Sequence, residues 1–145
     1  MTTTPADQIQ PSIDTKIRVL IVDDEEDFTL MMGMALKQTG HYETREENNA
    51  LQTVNATREF KPDVVLLDVM MPDADGGDIA GQLKADDATA HIPIIFLTAL
   101  VGNEETNLGG LLSGGHRFLP KPVSLAELTQ CIAEVTGRAA SEPQT

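Results

Sequence analysis

The chain has 145 residues, a net charge of −13 from 23 acidic and 10 basic side chains, and 41% hydrophobic residues. This length suits one domain with a packed core, and the acidic excess argues against a nucleic-acid backbone or an anionic membrane as a direct partner. The single cysteine, Cys131, cannot form an internal disulfide, and the longest apolar run, residues 92–101, is too short to cross a bilayer.

Three segments differ in composition. Residues 1–15 and 139–145 are polar and are predicted to be a disordered N-terminal tail and a polar C-terminal tail. Residues 16–138 between them are predicted to form the only domain. The N-terminus lacks the basic and apolar regions of a secretory signal, so we expect a cytoplasmic protein.

The first predicted elements are a strand and a helix. Residues 17–22 form a short β-branched apolar run that ends in acidic residues, which predicts a buried strand. A helix follows, with Gly40 as its C-terminal cap. Its apolar residues recur at helical spacing and are predicted to face the core, with packing as the expected role of both Met31 and Met32. These residues are Phe28, Met31, Met32, Ala35 and Leu36.

The alternation continues along the chain. The later predicted elements, in order, are an edge strand at 42–48, a weak helix at 50–60, a strand at 63–69, a short helix near 78–86, a strand at 92–98, a glycine-interrupted helix at 103–113, a short strand near 117–119 and a last helix beginning after Ser124 as N-cap. Five strands alternating with five helices predict an α/β fold, with a parallel sheet covered by helices on both faces.

Polar side chains stand where four of these strands end. Asp23 and Asp24 follow the first strand, Asp68 ends the third, Thr98 ends the fourth and Lys121 follows the fifth. Ligands bind at the carboxyl ends of the strands in such sheets. Clustered carboxylates repel one another unless a cation lies among them, and Mg²⁺ prefers oxygen ligands. A carboxylate can also attack a phosphoryl group, whose charge a lysine and a hydroxyl would stabilise.

The motifs that carry these residues, VDDEED at 22–27, LLDVMMPDADG at 66–76, FLTAL at 96–100 and FLPKP at 118–122, occur in one order with matching gaps. With them, residues 16–138 resemble the receiver domains of two-component response regulators. The resemblance implies a flavodoxin-like, doubly wound, five-stranded parallel sheet of strand order 2-1-3-4-5, flanked by five helices.

The resemblance also implies roles for these residues. Asp68 resembles the phosphoacceptor, which takes a phosphoryl group from a histidine of a sensor histidine kinase or histidine phosphotransfer protein. Asp23 and Asp24 resemble the acidic pair that holds Mg²⁺ together with Asp68 and the backbone carbonyl of Met70.

Three further positions match the family's switch residues. Lys121 resembles the lysine that pairs with the phosphoryl group, and Thr98 the hydroxyl that moves toward it. Phe118 matches the aromatic side chain that changes rotamer. The resemblance implies that the signal leaves through the face of the fourth helix, the fifth strand and the fifth helix, toward an output protein or a phosphorylation-dependent homodimer.

The sequence departs from the family pattern in two places. Residues 101–117 are unusually rich in glycine, which predicts a mobile or partly unwound fourth helix that orders upon phosphorylation. In this family, the side chains two positions after the acceptor and two after the switch hydroxyl influence how water reaches the acyl phosphate. Here they are Met70 and Leu100, which are apolar and cannot orient a water molecule. Slow autodephosphorylation is therefore predicted.

Less specific interpretations stay open beside this one. Asp23 and Asp24 could cap the first helix, and residues 25–27 are expected to be only its solvated first turn. At the level of function, the domain could be a phosphate sink or a pseudo-receiver that binds partners without phosphate. A phosphatase of the haloacid-dehalogenase type also uses an aspartate nucleophile. Its D-x-D signature would end the first strand, however, where this chain has Asp23-Asp24-Glu25.

Overall fold

The computed structural model describes residues 16–99 and 117–138. Its strands are β1 (Ile17–Val22), β2 (Tyr42–Glu47), β3 (Val64–Asp68), β4 (Ile94–Thr98) and β5 (Arg117–Pro120). Its helices are α1 (Glu26–Gln38), α2 (Thr53–Phe60), α3 (Gly76–Ala85) and α4 (Leu125–Thr136), with a short 3₁₀ helix at Ala50–Gln52. None of the helices in these two ranges is long and apolar enough to cross a bilayer.

The five strands form one parallel sheet in the order β2-β1-β3-β4-β5. This is the predicted strand order, and the polar segment 42–48 is confirmed as an edge strand. Because β1 and β3 are neighbours, the residues that follow them meet at the same edge of the sheet. The fold therefore brings together acidic residues that are 44 positions apart in the sequence.

Two apolar layers cover the sheet, one on each face. Alternate residues of the central strands point to opposite faces, so Val65 and Leu67 of β3 join one layer, while Val64 and Leu66 join the other. All four side chains are fully buried. This burial on both faces explains why the strands read as continuous apolar runs instead of alternating patterns.

Of two predictions about α1, the one for its C-terminal cap is confirmed and the one for the packing of Met31 is wrong. Gly40 adopts a positive φ of 82° directly after α1, as a C-terminal glycine cap requires. The packing role predicted for Met31 is wrong, because its side chain is 61% exposed while Met32 is buried. The buried stripe of α1 consists of Thr29, Met32, Gly33 and Leu36 and does not include Met31.

Other predictions fall on residues that the structure does not describe. They are the two terminal tails, the helix at 103–113 and the position of Leu100. The four α-helices described here correspond to the first, second, third and fifth of the predicted series.

A capping box begins α4, and replacing its serine is expected to destabilise the protein. Ser124 Oγ accepts a hydrogen bond from the backbone N–H of Glu127, and the Glu127 carboxylate accepts one from the backbone N–H of Ser124. Ser124→Ala should lower the free energy of unfolding by about 1 kcal/mol, because a helix N–H loses its acceptor. Urea denaturation measures this change, and a Gln130→Ala variant, altered at an exposed position of the same helix, should lose less.

Candidate functional site

Three carboxylates lie together at the carboxyl edge of the sheet. Asp23 follows β1 and is completely buried, Asp24 is exposed, and Asp68 ends β3 with 6% exposure. Each offers one oxygen, and these three oxygens all lie within 4.8 Å of one another. The structure thus brings the three predicted acidic residues into one cluster, with Asp24 on its solvent side.

Lys121 inserts its ammonium group among these carboxylates. Its Nζ lies 2.5 Å from Asp23 Oδ2, 3.3 Å from Glu25 Oε1 and 3.7 Å from Asp68 Oδ1. It also lies 4.5 Å from the ring centroid of Phe28, within the range of a cation–π contact. Burial opposes the charge on this lysine, but the hydrogen bond to Asp23 and the charges of Asp68 and Asp23 outweigh it and raise its pKa.

The two predicted switch residues lie on the adjacent strands. Thr98 ends β4 with 4% exposure, and its carbonyl accepts a 2.7 Å hydrogen bond from the backbone N–H of Lys121. Phe118 on β5 is half-buried, and its ring stacks on Phe96 with the centroids 5.0 Å apart. Thr98 is therefore tied to the lysine through the backbone, while Phe118 packs against the core layer that contains Phe96.

The carboxyl group of Asp68 is less acidic than an ordinary aspartate. Burial is the main cause, and the negative charges of Asp23 and Asp24 add to it. The charge of Lys121 and the backbone N–H of Met70, which donates to the carboxylate, act in the opposite direction. The net effect raises the pKa of Asp68 to about 6.

Gly76, the first residue of α3, presses against the backbone that carries Asp68. A Cβ atom at this position would lie 2.7 Å from the carbonyl oxygen of Asp68 and 2.9 Å from the Cα of Val69. The N–H of Gly76 donates to the carbonyl of Val69 at 2.8 Å, and Met70 pairs with Asp75 in an isolated bridge. A side chain at position 76 would push the end of β3, and Asp68 with it, out of place.

The donor set fits a hard divalent cation. Asp23, Asp24 and Asp68 supply only carboxylate oxygens, and oxygen is the ligand atom that Mg²⁺ prefers. Lys121 contributes one positive charge against these three and the neighbouring Glu25. The excess negative charge is what a bound cation would neutralise.

Sequence reasoning missed several residues that shape this site. Glu25 is not merely part of a solvated first turn, because it contacts Lys121, and Phe28 packs beside the same ammonium. The side chain of Asn48 donates to the carbonyl of Asp23 and to Thr29 Oγ1, at 2.8 and 2.9 Å. The order DDEEDF did place Glu25 and Phe28 beside the acidic pair, whereas Asn48 carries no local signal.

The helix-capping interpretation of the acidic pair fits only partly. Asp23 Oδ1 accepts a 3.0 Å hydrogen bond from the backbone N–H of Glu25, which is the N-cap residue of α1 and makes no side-chain cap of its own. The other oxygen of Asp23 contacts Lys121. Asp23 therefore orders the start of α1 and takes part in the charged cluster at once.

Comparison with known proteins identifies a family for most of the chain. Residues 19–133 match the family model described as the response regulator receiver domain. The chain is 40% identical over 120 residues to the phosphate regulon transcriptional regulatory protein PhoB of Pseudomonas aeruginosa, and the alignment covers 83% of this chain and 52% of PhoB. The chain thus spans about half the length of this relative.

A second relative is similar over nearly its whole length. The polar-differentiation response regulator DivK of Brucella anthropi is 32% identical over 123 residues, covering 83% of this chain and 97% of DivK. Among solved structures, the receiver domain of response regulator 1452 from Francisella superposes with a TM-score of 0.72 at 25% identity. That superposition covers 84% of this chain and 98% of the other.

Proposed function

The chain belongs to the response regulator receiver domain family, and we propose that it accepts a phosphoryl group on Asp68 from a phosphohistidine partner. Receiver domains are signalling switches of two-component systems and not conventional enzymes. The observation that carries the proposal is the cluster of Asp23, Asp24 and Asp68 around the ammonium of Lys121. Members of the family interact with histidine kinases and output targets, so the partner is a sensor histidine kinase or a histidine phosphotransfer protein.

In the proposed reaction, a carboxylate oxygen of Asp68 attacks the phosphorus of the phosphohistidine. An O–P bond forms, the P–N bond breaks, and the histidine nitrogen keeps the electron pair and takes up a proton. With a pKa of about 6, the acceptor is mostly ionised at neutral pH and thus able to attack. Lys121, 3.7 Å from Asp68, is placed to pair with the oxygens of the incoming phosphoryl group.

Magnesium is the cofactor that we assign to this proposed site. Asp23, Asp24, Asp68 and the backbone carbonyl of Met70 would hold the ion, and when bound it supplies positive charge against the phosphoryl oxygens. The exposed side chain of Asp24 leaves the cluster open to solvent on one side. Asp23 is completely buried, and its carboxylate accepts a hydrogen bond from the backbone N–H of Glu25.

The proposed switch passes from Asp68 to the far edge of the sheet. Thr98 would turn its hydroxyl toward the phosphoryl group, and Phe118 would move into the space that this vacates. The stack of Phe118 on Phe96 supports a linked movement, since both rings belong to one layer. The face of β5 and α4 would then change its contacts with an output protein or a second copy of the chain.

We propose that this receiver domain acts in the cytoplasm and conveys its signal through its own surface. The chain aligns with 97% of DivK, whereas it aligns with only 52% of PhoB. A regulator of this kind would act through protein contacts or by passing its phosphoryl group to another histidine. We therefore propose that this domain is a phosphorylation-dependent interaction module.

Intact mass after incubation with acetyl phosphate tests the proposal. We expect one phosphoryl adduct that requires Mg²⁺, is absent from Asp68→Ala and is retained by Asp73→Ala, in which an exposed neighbouring carboxylate is removed. Steady release of phosphate without an adduct would indicate a phosphatase instead. An unmodified protein that releases no phosphate would indicate a pseudo-receiver.

The phosphorylated protein should lose its phosphoryl group slowly. Met70, whose side chain is 63% exposed beside the acceptor, cannot orient a water molecule for attack on the aspartyl phosphate. Met70→Asn is expected to shorten the half-life several-fold, and Met70→Asn/Leu100→Glu more strongly. Decay of the adduct mass measures both variants, and Met34→Asn, which changes an exposed methionine on α1, should decay like the unaltered protein. Equal half-lives in all four proteins would contradict the prediction.

A further inference from the structure

Glu25 stands at the N-cap of α1 but does not cap the helix. Its backbone is extended, with φ −84° and ψ 103°, and its side chain accepts no hydrogen bond from the first turn. N-cap positions favour residues whose side-chain oxygens accept these N–H groups. The Glu25 carboxylate instead reaches the ammonium of Lys121, which lies 96 residues away in the sequence.

Two carboxylates hold the ammonium of Lys121 within hydrogen-bonding distance, and Asp68 is not one of them. Nζ donates to Asp23 at 2.5 Å and to Glu25 at 3.3 Å, while its 3.7 Å separation from Asp68 is too long for a hydrogen bond. The ring of Phe28 closes another side of the ammonium. Glu25 is 65% exposed, so it holds Lys121 from the solvent side of the cluster.

We propose that Glu25 is a positioning residue that keeps Lys121 away from the acceptor until the phosphoryl group arrives. This inference rests on the proposed function, since it concerns the lysine that would pair with that group. Phosphoryl oxygens at Asp68 must compete with Glu25 for the ammonium. The contact between Glu25 and Lys121 therefore stabilises the unphosphorylated state relative to the phosphorylated state.

Beryllofluoride binding at saturating Mg²⁺ measures this competition, because the anion mimics a phosphoryl group on an aspartate. Saturation with Mg²⁺ keeps changes in metal affinity out of the comparison, and ¹⁹F NMR titration gives the affinity. We expect Glu25→Gln to bind beryllofluoride about three-fold more tightly, as the loss of a largely exposed ion pair implies. Glu26→Gln is the matched control, since it removes the same charge one residue further on, from a side chain that is exposed.

Glu25→Asp separates the contact from the general effect of charge. An aspartate at an N-cap accepts the N–H groups of the first helical turn, so it should turn away from Lys121 while keeping the negative charge. We therefore expect Glu25→Asp to bind beryllofluoride as tightly as Glu25→Gln does. A thermal melt of each variant checks that the fold is retained.

The outcomes separate this inference from the proposed function. Failure of the unaltered protein to bind beryllofluoride with Mg²⁺ would overturn both. If the unaltered protein binds, an unchanged Glu25→Gln overturns only the role of Glu25. An equal gain in Glu26→Gln, or a Glu25→Asp variant that behaves like the unaltered protein, would assign the effect to net charge and overturn it as well.

Discussion

Lys121→Met is expected to lower the free energy of unfolding by about 3 kcal/mol in magnesium-free buffer, because it leaves the buried carboxylate of Asp23 without its cation. Asp23 is completely buried, and its contact with Lys121 is the shortest that the ammonium makes. The remaining hydrogen bond from the Glu25 N–H offsets only part of the loss. Urea denaturation with EDTA present measures the change.

Two controls isolate the buried ion pair. Lys37→Met removes a positive charge from an exposed position of α1 and should change stability little. Asp23→Asn/Lys121→Met also removes the completely buried charge of Asp23 and should recover much of the stability, because only Asp68, which Lys121 contacts less closely at 3.7 Å, is then left without the ammonium. If the double variant were no more stable than Lys121→Met, the loss would have to come from packing of the lysine stem.

Asp68→Asn is expected to stabilise the magnesium-free protein at neutral pH. Burial and the charge of Asp23 raise the pKa of Asp68 to about 6, whereas an aspartate in the unfolded chain titrates near 3.9. The difference of about two units corresponds to roughly 3 kcal/mol of destabilisation once the group is ionised. Asparagine keeps the shape of the side chain without the charge.

The pH dependence has a definite sign. The folded state binds the proton more tightly than the unfolded state, so the contribution of Asp68 to stability is fully present below about pH 4 and is lost as the pH rises through about 6. The stability advantage of Asp68→Asn should therefore grow between pH 5 and 7.5 and then level off. The measurements start at pH 5 because the protein carries little net charge near its pI of 4.4.

Urea denaturation of both proteins with EDTA across that range measures the difference, and Asp73→Asn, altered at an exposed aspartate, should show no such trend. Saturating Mg²⁺ should reduce the advantage, because a cation at the three carboxylates stabilises the ionised form of Asp68. A difference that stays constant from pH 5 to 7.5 would contradict the raised pKa.

The sheet and the positions of its acidic residues were predictable from sequence because both depend on strongly patterned segments. Buried parallel strands read as continuous apolar runs, and their order follows from the family resemblance. Once the strands were placed, Asp23, Asp24, Asp68, Thr98 and Lys121 had to lie at one edge of the sheet. The position of each residue is fixed by the backbone alone.

The details that sequence reasoning missed depend on side-chain choices between distant residues. Glu25 could cap α1 or contact Lys121, and only the three-dimensional arrangement decides between the two. Met31 belongs to an apolar pattern on α1, but the width of the stripe that reaches the sheet depends on how the helix is rotated. Gly76 stands in a glycine pair, and nothing local in the sequence shows that a Cβ atom there would meet the backbone of Asp68.

The ion pair between Asp23 and Lys121 joins residues 98 positions apart, so it also bears on how the protein is made. During synthesis, β1 leaves the ribosome long before β5 exists, and the carboxylate that β1 places in the interior has no cation until the last strand adds to the sheet. A nascent chain or fragment that stops before Lys121 therefore contains the carboxylate of Asp23 but lacks the ammonium group that pairs with it. Addition of β5 to the sheet and completion of the acidic pocket are therefore the same event.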